Sequence, residues 1–170
     1  GGGFKNPEEV GLLVLIQAIR KELDLPIIAA GGIVDGTGMA AVFAAGAEGI
    51  QMGTRFVSSK ESPVHDNFKN KILDSTIQGT WILNKTSKPV IRALRTDFTK
   101  KIHEAGVMEM KDMSNIQDLY FGGDMNAAPA LSGQSVGLID EVKSVKDIID
   151  QTVSEFNEAC NNLSNFKLEV

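Results

Sequence analysis

"PIIAAGGIVDGTGMAAVFAAGAEGIQMGTRF" runs from Pro26 to Phe56, and the architecture of the chain turns on how it is read. Its first apolar run, "IIAA" at 27–30, follows Pro26 and stops at Gly31-Gly32, which is how a short buried strand reads. Asp35 then stands in N-cap position ahead of a helix of small residues over 36–45. Gly46 supplies the left-handed residue on which a helix can end. "GIQM" at 49–52 is the second buried strand. Strand, helix, strand at this spacing is a βαβ unit, and such units build parallel sheets.

Outward from this unit the pattern is mostly helical. Residues 6–23 predict a helix with Asn6 as its cap, Pro7 in its first position, and Glu8 and Glu9 at the positive end of its dipole. Val10, Leu13, Val14 and Ile16 begin its apolar face. Ser62-Pro63 opens a second helix, "KPVIRALRTDFTKKIHEAG" at 88–106 reads as a third, and 145–163 as a fourth. Weaker helical signals lie at 112–119 and 127–138, and "STIQGT" at 75–80 reads as extended. Residues 1–60 are thus expected to supply sheet and loops, and 61–170 a mostly helical region packed on the same domain.

The 170 residues allow one domain of ordinary size with a real core. A net charge of −5 argues against a nucleic-acid surface, and no apolar run approaches the ~20 residues of a membrane helix. Cys160 is the only cysteine, so no internal disulfide forms, and a reducing cytoplasm is the expected location. It falls within a helical pattern and is expected to be structural. The chain opens on "GGGFKNPEEV" without a methionine, which reads as an interior loop of a longer protein.

The glycines raise the functional question. A phosphate needs backbone N–H donors that it can approach closely, and a glycine between a strand and a helix N-terminus meets that need. Gly31-Gly32 is one such cradle, and "QMGT" at 51–54 is another, with the Thr54 hydroxyl as a further donor. Cradles at two neighbouring strand ends can converge on one phosphate, as the loops after strands 7 and 8 of (β/α)₈ barrels do. Either glycine site alone would read as a turn; the pair is what points to a ligand. Arg55 is open to a phosphate contact or to a structural ion pair.

These residues resemble a known family. "PIIAAGGIVDGTGMAAVFAAGAEGIQMGTRFV" is similar to the C-terminal barrel segment of the nitronate monooxygenases, once called 2-nitropropane dioxygenases. It is equally similar to the FMN-dependent enoyl-acyl-carrier-protein reductases. The likeness continues through "SSKESPVHDNFKNKIL" and "SGQSVGLIDEVKSVKDII". The resemblance implies an α/β fold, a (β/α)₈ TIM barrel of which this chain is about the last three βα units plus C-terminal helices. It implies an FMN-dependent oxidoreductase acting on a small molecule, an alkyl nitronate with oxygen or an enoyl thioester. NAD(P)H as electron donor and a homodimer of the full-length protein stay open. Carried over residue by residue, the flavin contacts fall on Gly2, Gly3, Gly31, Gly32, Gln51, Met52, Gly53 and Thr54.

The pattern breaks at one place. The family's loop reading Glu-Ala-Gly-Gly-His corresponds to "GGGFKNP", so Gly3 or Phe4 stands where the histidine base is expected. A neutral nitroalkane needs a base to remove its carbon-bound proton, whereas a nitronate has already lost it. Lys5 is the remaining candidate for a proton donor in enoyl reduction. The altered loop also supports an alternative, a non-catalytic barrel that binds FMN or another phosphate ligand. His65 and His103 are expected as surface residues, Trp81 and Tyr120 as packing, and no metal site is expected.

Overall fold

The computed structural model describes residues 1–5 and 10–166. In chain order the elements are β1 (Gly3–Lys5), α1 (Leu12–Glu22), β2 (Ile28–Ala30), α2 (Gly36–Ala44), β3 (Gly49–Gln51) and α3 (Thr54–Val57). There follow α4 (Asp66–Leu73), β4 (Thr80–Leu83), β5 (Val90–Leu94), α5 (Asp97–Ala105), α6 (Ile116–Tyr120) and α7 (Val145–Ser164). Short 3-10 turns cover Met110–Met113 and Gln134–Leu138.

The stretch from Pro26 to Phe56 forms the βαβ unit its pattern predicts. β2 and β3 pair in parallel with Ile28 opposite Gly49 and Ala30 opposite Gln51. Between them Asp35 caps α2, its Oδ1 accepting the Gly38 N–H at 2.7 Å. Gly46 takes φ 110°, the left-handed region open to glycine. α1 covers this pair through Ile16, which packs with Ala29, Ile33, Val42 and Ala47. The predicted cap of α1 at Asn6, Pro7, Glu8 and Glu9 lies outside the described residues.

Elsewhere the structure corrects the reading. The α/β class holds: the described residues form two small sheets, with β2–β3 as the parallel pair, which is consistent with a portion of a barrel although no barrel is seen among them. The second sheet is antiparallel, in the order β1-β5-β4. The helix expected over 88–106 is instead β5 followed by α5, with Thr96 as N-cap and Gly106 as a left-handed C-cap at φ 73°. The extended stretch expected at 75–80 begins only at Thr80. The helix expected from Ser62 starts at Asp66, capped by His65, whose Nδ1 accepts the Asn67 N–H at 3.1 Å. Within 127–138 only Gln134–Leu138 turns helically, and Leu131 bridges Ala93 of β5. Cys160, expected as a structural residue, is exposed on α7.

Packing ties the halves of the chain together. Val34, just after β2, lies in one apolar cluster with Phe68, Ile72, Leu94 and Leu119. α7 runs along α2 so closely that a Cβ on Gly36 would stand 2.1 Å from the Phe156 nitrogen. Glu155 Oε2 accepts the Gly36 N–H at 2.9 Å, and Phe43 and Phe156 meet edge to face at 5.3 Å. That contact fixes the start of α2, and with it the loop that carries Gly31 and Gly32.

Candidate active site

A cleft of about 470 Å³ opens where β2 and β3 end. Three loops build it. Gly31, Gly32 and Ile33 come from the β2–α2 loop, Gln51, Gly53 and Thr54 from the β3–α3 junction, and Leu131, Ser132, Gly133 and Ser135 from the segment around the last 3-10 turn. Gly1, Gly2, Gly3 and Phe4 close the remaining wall.

The glycines do different work. Gly2 and Gly31 let backbones touch. A Cβ on Gly2 would stand 2.4 Å from the Ser132 carbonyl carbon, and one on Gly31 would stand 2.7 Å from the Gly1 nitrogen. Gly32 takes φ 74°, which a side chain would strain. Gly53 is the informative one. Its φ of −95° and ψ of −70° are open to any residue, and nothing lies within 4 Å of its would-be Cβ. Neither backbone conformation nor packing within the chain demands glycine there. The absence of a side chain leaves the Gly53 and Thr54 N–H groups open to the cleft.

Thr54 links two of the loops. Its Oγ1 accepts the Gly133 N–H at 3.0 Å and lies 3.5 Å from Ser132 Oγ. Ser132 is the donor in that contact, so the Thr54 hydroxyl proton is left for a ligand. Ser132 and Ser135 are both buried, at 2% and 7% exposure, and both line the cleft. Sequence reasoning misses these two serines. Their signal lies in "SGQS", a glycine between serines ahead of a helical turn, the same small-residue pattern as "GIVDG" and "MGT".

No charged side chain among the described residues lines this cleft. An anion there would be held by backbone N–H groups and hydroxyls, the donor set of a phosphate nest. Arg55 does not join it. Its NH1 group donates to the Glu141 carbonyl at 2.9 Å and to Ser58 Oγ at 3.4 Å, beneath α7. Burial lowers its pKa, while Glu141, Asp140 and Glu155 oppose that shift. Among the described residues Arg55 thus takes a structural role through hydrogen bonds to a backbone carbonyl and a serine, in place of either the phosphate contact or the ion pair.

The remaining candidates fall as follows. Gln51 lines the cleft, whereas Met52 packs with its side chain against the Ile16–Ala29 cluster. Lys5 ends β1 opposite Val90, and its side chain lies outside the described residues. His65 caps α4, and His103 stacks on Trp81 with centroids 4.5 Å apart, so neither lines the cleft. Tyr120 stacks on Phe68 at 5.0 Å. Among the described residues no group of three or more His, Cys, Asp or Glu could hold a metal ion, and no helix is long and apolar enough to cross a membrane.

Comparison with known proteins gives this geometry a family. The profile of the family described as nitronate monooxygenase matches residues 1–155. A curated (3aS,4S,5R,7aS)-5-hydroxy-7a-methyl-1-oxo-octahydro-1H-indene-4-carboxyl-CoA dehydrogenase of Rhodococcus jostii is 30% identical over 91% of this chain and 56% of its own length. A probable nitronate monooxygenase of Staphylococcus saprophyticus is 28% identical over 89% of this chain and 44% of its own. Among solved structures, FabK from Thermotoga maritima superposes with a TM-score of 0.89 at 40% identity, covering 98% of this chain and 54% of that one. A nitroalkane oxidase from Streptomyces ansochromogenes superposes with a TM-score of 0.80 at 25% identity, covering 96% and 51%. The chain spans about half the length of the relatives it matches. With the profile match running through nearly the whole chain, this protein belongs to the nitronate monooxygenase family, a family of oxidoreductases.

Proposed function

We propose that this chain is the flavin-phosphate-holding part of an FMN-dependent oxidoreductase. The observation that carries the proposal is the cleft at the ends of β2 and β3, where Gly53 leaves the backbone open to a ligand although neither its conformation nor its packing requires glycine. The backbone N–H groups of Gly32, Gly53 and Thr54 would hold the phosphate, with Gln51, Gly31 and Met52 along the same rim and Gly2 and Gly3 on the facing wall. The buried hydroxyls of Ser132 and Ser135 extend the donor set from the third loop. FMN, when bound, supplies the electron transfer, and the protein supplies position and access.

Within that class, reduction of an enoyl thioester with an NAD(P)H donor is the reading best supported. The likeness to FabK exceeds that to the nitroalkane oxidase in both identity and superposition, and the relative from Rhodococcus carries a carboxyl-CoA name. The cleft also presents no titratable side chain among its described residues, which leaves a neutral nitroalkane without a base. Oxidation of an alkyl nitronate is the second reading, favoured by the family match and by the fact that a nitronate needs no such base. A barrel that binds flavin and turns nothing over is the third, resting on Phe4 near the expected histidine position.

One experiment separates the three. The purified, FMN-loaded protein is given NAD(P)H with a short enoyl thioester, and separately oxygen with propyl nitronate. Thioester-dependent NAD(P)H oxidation supports the first reading, and nitronate-dependent oxygen uptake the second. Flavin binding with neither activity leaves the binding module. A purified protein that binds no FMN would overturn all three.

A further inference from the structure

A second concavity, of about 330 Å³, lies where the small antiparallel sheet meets α5. Lys71 of α4, Trp81 of β4, Arg95 at the end of β5, Asp97 and Lys100 of α5, and Asn126 line it. Three cations face one carboxylate there, in a chain whose net charge is −5. Charge of this sign is therefore gathered at the pocket against the overall balance.

The cations are poorly neutralised from within. Neither Lys71 nor Arg95 meets a carboxylate within ion-pair distance among the described residues, and Lys100 reaches Glu104 only at 3.9 Å across open solvent. Arg95 is held in place by another means. Its guanidinium lies 4.9 Å over the Trp81 ring, and that ring is stacked on His103 with 16° between planes. Such a stack fixes the planar fork without using its N–H donors, which stay available to whatever occupies the pocket. Asn126 is also pinned, with Oδ1 accepting the Phe98 N–H at 3.0 Å, which leaves its amide donors unused.

We propose that this pocket is a second binding site, taking the phosphate ester or pyrophosphate of a small ligand. Three cations less one carboxylate match a dianion. Arginine and lysine donors around an aromatic are the chemistry that holds phosphate, and the concave shape suits a small group rather than a protein helix. None of these residues lines the flavin cleft, so the site is independent of the flavin assignment. Two sources carry the group, a nucleotide or the phosphorylated handle of a thioester substrate.

The test is calorimetric titration of the purified protein, at fixed ionic strength, with inorganic pyrophosphate, ADP and 4′-phosphopantetheine. At least one should bind, and Arg95→Gln and Lys100→Gln should each weaken it about fivefold, the factor that ~1 kcal/mol gives. Lys21→Gln, on α1, should leave it unchanged, and raising salt should weaken it. Tighter binding of ADP than of the other two identifies a nucleotide site, and tighter binding of phosphopantetheine a substrate-handle site. Absence of binding by all three at millimolar concentration overturns the proposal. So does binding that Arg95→Gln and Lys100→Gln leave intact. Binding that survives Gly53→Val confirms that the site stands apart from the flavin cleft.

Discussion

Replacing Gly53 with valine separates a ligand-holding glycine from a structural one. The backbone at Gly53 has φ −95° and ψ −70°, values a valine can adopt, and a Cβ there meets no heavy atom within 4 Å. The flavin-free protein should therefore stay folded and melt within a few degrees of wild type, since a Cβ meets no neighbour and the backbone needs no left-handed conformation. The bound phosphate fares differently. A branched side chain over the Gly53–Thr54 peptide keeps the phosphate from at least one charge-assisted N–H contact, worth about 1.5–3 kcal/mol. FMN affinity should fall by roughly 10- to 150-fold. Gly32→Val is a less clean probe, because φ 74° adds backbone strain to any loss of ligand. The assay is quenching of FMN fluorescence on titration with protein, paired with a thermal melt of the flavin-free form. Unchanged affinity in a folded Gly53→Val protein would refute the phosphate assignment.

Other contacts carry their own expected outcomes. Thr54→Val removes the acceptor of the Gly133 N–H and should cost about 1–2 kcal/mol in chemical denaturation, with weaker FMN binding besides. Gly36→Ala drives a Cβ into the backbone of α7, and should destabilise by about 3 kcal/mol or prevent folding, read by the melting temperature. Burial raises the Tyr120 pKa, and a hydrogen bond with the Leu131 backbone opposes the shift. The native phenol thus keeps its proton where the unfolded chain, titrating at about 10, has lost it. Stability should fall as pH rises past that value, and Tyr120→Phe should flatten the fall in alkaline denaturation curves. Leu13, Val14, Leu25 and Ile28 are all exposed on or beside α1 and β2, so residues 1–170 alone should self-associate in size-exclusion chromatography. A monodisperse monomer would contradict that.

The contrast between what is legible in the sequence and what is not follows the range of the interactions. The βαβ unit at 26–56 is local. Its strands, cap and glycines lie within about thirty residues, and each signal agrees with the next. The antiparallel sheet is local only in its β4–β5 hairpin; β5 also pairs with β1, from the start of the chain. β5 is buried at every position from Val90 to Leu94, so its inside-outside alternation is lost. "RTDFTKK" at 95–101 then supplies charges at helical spacing directly after it, which carries a helical reading back across the strand. The cleft loops are visible because glycine and threonine at strand ends stand out against the apolar runs they follow. Ser132 and Ser135 escape notice because their segment reaches the cleft only when Thr54, some eighty residues earlier, folds against Gly133. Arg92 is equally silent. A charged residue in an apolar strand makes sense once β4 pairs with β5 and Thr80 Oγ1 accepts from its NH1 group at 3.1 Å.

The proposed oxidoreductase function rests on the cleft between the β2, β3 and 131–135 loops holding the phosphate of FMN. A crystal structure of the purified protein grown with FMN is the decisive test. Phosphate oxygens are expected about 2.7–3.2 Å from the backbone nitrogens of Gly32, Gly53 and Thr54. Density for the flavin anywhere else, or a cleft that stays without it at saturating FMN, would overturn the assignment.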